Sequence, residues 1–89
     1  MINTNYDRYK ELIAQYKVKF ISGAASEEIN LDDYDVVIKY VGVGYAHTKY
    51  QVIKNGPNLL IQDLAIICDK GNLCFGYRTQ GSTIIIHTD

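Results

Sequence analysis

The chain has no tryptophan, one proline, one methionine and two cysteines in 89 residues. Two cysteines, Cys68 and Cys74, are too few for the disulfide framework that holds many small secreted domains together, and in a reducing compartment they read as free thiols filling small apolar spaces. No apolar run approaches the ~20 residues that a helix needs to cross a bilayer, and the opening MINTNYDRYKELIAQ lacks the basic-then-apolar pattern of a secretion signal. A cytoplasmic protein with no membrane partner is therefore expected. Internal repeats, low-complexity runs and linkers are also missing. A chain of this length buries roughly 60 to 65 % of its unfolded surface, enough for one modest core, so residues 1–89 read as a single domain.

Catalytic and metal motifs are missing too. Cys68, Cys74, His47 and His87 have the right atoms for zinc but no C-x-x-C or H-x-x-x-H spacing. The acids do not form the D-x-D-x-D-G pattern of a calcium loop. GVGYAHTKY, residues 42–50, lacks the six-residue glycine spacing of a phosphate loop and does not lead into a helix. A hairpin turn accounts for its glycines. No cofactor and no metal are expected.

What is present is an ordinary globular composition, 47% hydrophobic and 21% charged. Tyr6, Tyr9, Ile13 and Tyr16 recur at helical spacing, with Leu12 widening the stripe, so residues 5–17 read as an amphipathic helix. Asn3, Thr4 or Asn5 can cap it, and Asp7 suits its first turn. VKFIS, residues 18–22, is β-prone and reads as a short strand or the helix exit, followed by a polar loop. From Tyr34 the alternation is cleaner: Tyr34, Val36, Ile38 and Tyr40 fall on one face and Asp35, Val37, Lys39 and Val41 on the other. YAHTKYQVIK is a second strand, stopped by Asn-Gly-Pro. Residues 58–70 are ambiguous between strand and helix; the expectation is a helix, capped by Asn58 and ended by Lys70-Gly71.

The chain closes on two apolar runs around Gln80-Gly81. Taken as a two-residue turn, that pair sets Tyr77 opposite Ile84, Phe75 opposite Ile86 and Leu73 opposite Thr88, with Phe75, Tyr77, Ile84 and Ile86 buried under a helix. Cys74 then lies opposite His87, a possible nucleophile and base, with no third residue to orient them. Ile85 is expected to be exposed beside Cys74, Arg78 and His87, where it could anchor a partner or a second copy of the chain. The fold expected is α+β: an antiparallel sheet of four to five strands carrying an N-terminal amphipathic helix and a second helix near residues 58–70.

Charge is uneven. Glu27, Glu28, Asp32, Asp33 and Asp35 supply five of the ten acids within nine residues, and no Lys or Arg occurs from Phe20 to Ile38. Tyrosine is the other outlier, with eight Tyr against two Phe. Its apolar body and polar tip suit surfaces that exchange water for a partner. Heavy use of Ile, Lys, Asn and Tyr with little Arg, Ala or Pro is the bias of AT-rich genomes. In size and composition the chain is similar in kind to accessory proteins of phages and mobile elements, including inhibitors of bacterial defence systems. That resemblance covers no motif and implies work by occupying a surface.

The function expected is thus a small non-enzymatic binding protein, an accessory inhibitor of the anti-defence type, docking its acidic segment and exposed tyrosines on a basic surface of a host protein. The alternative is a small-ligand or nucleotide-binding protein that sequesters its ligand, possible as a homo-oligomer, through Tyr45, His47, Lys49 and Arg78.

Overall fold

A computed structural model describes residues 4–22, 28–72 and 76–87 of the chain. In order these form α1 (Thr4–Gln15), β1 (Val18–Ser22), a 3-10 turn (Leu31–Asp33), β2 (Val36–Gly44), β3 (His47–Lys54), α2 (Ile61–Cys68), β4 (Gly76–Gln80) and β5 (Thr83–His87). The strands make one sheet in the order β1-β2-β3-β5-β4. All neighbours pair antiparallel except β1, which lies parallel to β2. The fold is the expected α+β class, with two helices on a five-stranded mixed sheet. Among the described residues no helix is long and apolar enough to cross a membrane.

Period-2 alternation explains which face the helices cover. Val36 and Ile38 of β2 and Ile84 and Ile86 of β5 point to one side, where they pack with Leu12 of α1 and Leu64, Ala65, Ile67 and Cys68 of α2. On α1 the buried centre is Leu12, while Tyr6 and Ile13 stay exposed. The stripe is therefore turned by about one residue from the tyrosine row that its sequence suggests. The helix also ends two residues short of Lys17, because β-branched Val18 begins a strand that pairs with β2.

α2 is shorter than the expected 58–70. Asn58 adopts a left-handed conformation in the preceding turn, and Leu60 stands at the N-cap without a side-chain hydrogen bond. The C-terminal end is as read: Lys70 and Gly71 both have positive φ, and the Gly71 N–H donates to the Ile66 carbonyl at 3.1 Å. Gly71 also has to be glycine for space, since a Cβ there would lie 2.8 Å from the Tyr6 Cα. The helices are joined a second time by Arg8, which donates to both oxygens of buried Asp63 at 3.3 Å and to Glu11 at 3.0 Å.

The closing hairpin differs from its expected register. Its turn is Gly81-Ser82, with Gly81 at φ +62 in the first central position, as a type II′ turn prefers. Tyr77 consequently faces Ile86, Arg78 faces Ile85, and His87 faces Gly76 where Cys74 was expected. Leu73, Cys74, Phe75 and Thr88 lie outside the described residues. The shift is of two positions, so each residue keeps its expected face. Burial is what changes. Tyr77 is 40% exposed because β4 is the last strand of the sheet, and Ile85, expected in solvent, is 2% exposed.

Ile85 and Val37 are buried on the side away from the helices, outside the main core. Their cross-strand neighbours are long cations: Lys49 and Arg78 flank Ile85, while Lys19 and Lys54 flank Val37. The methylene stems of such side chains lie along apolar groups while their charged ends reach water.

Candidate functional site: an acidic cleft beside the first helix

The segment after β1 is held in shape by short polar contacts. The Asn30 side chain accepts from the Asp32 N–H at 3.1 Å, which caps the 3-10 turn and places Asp32 and Asp33 in its first turn. Asp35 then anchors the segment: its Oδ2 accepts the Lys17 N–H at 2.8 Å, while the Lys17 carbonyl accepts from Asp35 and Val36 at 2.9 and 3.1 Å. The starts of β1 and β2 are thereby tied together. From Lys54, Nζ donates to the Leu31 carbonyl at 2.8 Å.

This arrangement opens a cleft of about 1000 Å³ between α1 and residues 32–35. Tyr9 and Ile13 of α1 and, just beyond its end, Tyr16 and Lys17 line one side, Asp32, Asp33, Tyr34 and Asp35 the other, with Phe20 of β1 between them. Asp32 and Asp33 are exposed, with no ion pair among the described residues. Of the expected acidic set, three residues thus meet Tyr9 and Tyr16 in one place. Glu28 is exposed but belongs to a separate hollow with Ile29 and Asn30. Glu27 lies outside the described residues.

The other expected group is brought together elsewhere. His47, Lys49 and Arg78 share the helix-free face of the sheet, with Lys49 and Arg78 on either side of Ile85 and His47 paired with His87. Tyr45, in the β2–β3 turn, is 94% exposed at the end of that hairpin. His47 is fixed locally: a carbonyl can only accept, so Nδ1–H donates to the Tyr45 carbonyl at 2.8 Å. Its ring lies against Gly44, where a Cβ would come within 2.5 Å of it. The glycine there is needed by the histidine rather than by the turn.

The described thiol has no place in either site. Cys68 is buried in α2, and burial first, then the negative charge of Asp69, pushes its pKa up to about 12. It sits beneath the helices, across the sheet from His47 and His87. Among the described residues no three His, Cys, Asp or Glu side chains are grouped to hold a metal ion.

No family model matches the chain, and neither a characterised protein nor a solved structure shows significant similarity to it. Function is read from the geometry alone.

Proposed function

We propose that the protein is a non-enzymatic binding protein whose cleft between α1 and residues 32–35 receives a cationic surface of another protein. The observation that supports this is the meeting of Asp32 and Asp33 with Tyr9 and Tyr16 across one opening. An arginine entering it would find carboxylates for its guanidinium and ring faces on which to stack, the two contacts that suit its planar charge. Ile13 and Phe20 add apolar surface to exclude water from the contact. Opposite charge would speed and orient the encounter, as expected of a protein that works by covering a partner's basic surface.

The test is a calorimetric titration of a nona-arginine peptide into the wild-type protein and Asp32→Lys/Asp33→Lys. Asp35 is left in place because its carboxylate holds the backbone of Lys17. The double reversal is expected to weaken binding at least roughly tenfold and to flatten its salt dependence, with the thermal melt unchanged. Equal affinity of the two proteins would refute the cleft.

A further inference from the structure

The five strands carry five of the nine Lys and Arg residues, both histidines, and not one Asp or Glu. The register sends all of these cations to the helix-free face, opposite the core residues of β2 and β5. Lys54 is used at one end of that face, on the Leu31 carbonyl. Across the rest, two further cross-strand rows run Gly42–Lys49–Ile85–Arg78 and Gly44–His47–His87–Gly76, and Lys39 joins the adjoining row beside Gln51 and Thr83. Neither Lys39, Lys49 nor Arg78 makes an ion pair among the described residues.

Two of the glycines at the ends of these rows leave room beside the backbone. Gly42 and Gly76 have no atom within 4 Å of where a Cβ would stand, and a shallow hollow of about 250 Å³ lies beside His47 and Lys49. Cationic groups recur across the strands at intervals of roughly 5 to 10 Å, set by the strand spacing and the two-residue repeat.

We propose that this face binds a single strand of nucleic acid along its backbone, with Lys39, Lys49 and Arg78 contacting phosphates. Charge complementarity selects a polyanion, and cations spread over three strands suit an extended backbone better than one enclosed nucleotide. A nucleic acid fits better than an acidic protein. Protein interfaces rely on central apolar and aromatic anchors, whereas the apolar side chain at the centre of this patch, Ile85, is buried and the exposed Val41 and Val43 stand only at its margin. Imidazole and guanidinium planes can instead stack on unpaired bases, as can exposed Tyr45 at the margin. The site is independent of the acidic cleft and stands or falls apart from it.

Fluorescence anisotropy of a labelled oligothymidylate about 20 nucleotides long, at about 50 mM salt and above, tests it. Lys49→Gln/Arg78→Gln removes both charges while keeping an unbranched stem at each position beside Ile85; Lys39→Gln, which does not flank Ile85, is the second variant; Lys10→Gln on α1 is the control. The wild type and the control should bind alike, the double variant roughly tenfold more weakly, with a salt slope smaller by roughly 1.4, and Lys39→Gln should be weakened too. Absence of wild-type binding at low salt, or unchanged affinity in both sheet-face variants, would overturn the proposal. Polyglutamate displacing the oligonucleotide as well as unlabelled oligonucleotide does would assign the face to acidic proteins instead.

Discussion

Ile85 shows what alternation in a sequence decides and what it leaves open. Position 85 is correctly placed opposite Ile84 and Ile86 by period 2, yet all three are buried, and the cross-strand neighbours of the one that faces away from the helices are the long cations Lys49 and Arg78, whose stems suit such cover. Side-chain stems of that kind cannot be counted as cover until the neighbouring strands are known. Ile86→Ala should therefore cost about 2 to 5 kcal/mol and Ile85→Ala about 2, toward the low end because flexible stems can collapse into the space. Denaturant melts measure both, and a loss below about 0.5 kcal/mol for Ile85→Ala would mean that those stems do not bury it. Cys68 provides a second measurement at this scale. Its thiol keeps its proton to about pH 12 in the fold but to only about 8.5 in the unfolded chain. Between those values the unfolded state binds fewer protons, so stability falls as pH rises through the window. With Cys74→Ser as background, Cys68 should react with a disulfide reagent at the rate of unfolding, and Cys68→Ala should soften the alkaline loss of stability. Immediate reaction in the native protein would contradict its burial.

At the scale of elements, the helices, the strands and the class of fold were legible, and the register of the last hairpin was not. Two apolar runs around Gln80-Gly81-Ser82 permit a turn at either pair of residues, and only the preference of glycine for the first central position separates them. Parallel pairing of β1 with β2 is a long-range fact that no local pattern in VKFIS carries. Glycines give a graded test of the structure as found. Gly71→Ala should cost about 2 to 4 kcal/mol, since it combines positive φ with a collision against the α1 backbone. Gly81→Ala should cost about 1 to 2 kcal/mol for its φ alone, and Gly76→Ala should stay within about 0.5 kcal/mol. Thermal melts of the three variants check the order. Equal losses would remove the II′ turn at Gly81-Ser82 and the docking of Gly71 on α1 from the account.

Taken whole, the molecule has a net charge of −1 that conceals two opposite surfaces. The acidic cleft was half legible: the run of acids is plain in the sequence, but its meeting with Tyr9 and Tyr16 depends on how α1 lies against β1, and Asp35 proves to be a backbone anchor within it. The basic face was legible in principle, since every strand lacks acids and the apolar alternation of β2 and β5 fixes which face the helices cover. Its extent, including Lys39 and His87, needed the register. Separated surfaces of opposite sign mean that a cationic probe should select one region of the protein. The most direct measurement is an amide shift map of the isotope-labelled protein titrated with the nona-arginine peptide. Shifts should concentrate at Tyr9, Ile13, Tyr16 and residues 32–35, leave residues 47–49 and 76–80 unmoved, and be lost in Asp32→Lys/Asp33→Lys; shifts centred anywhere else, or spread evenly over the surface, would rule out the cleft as the binding site.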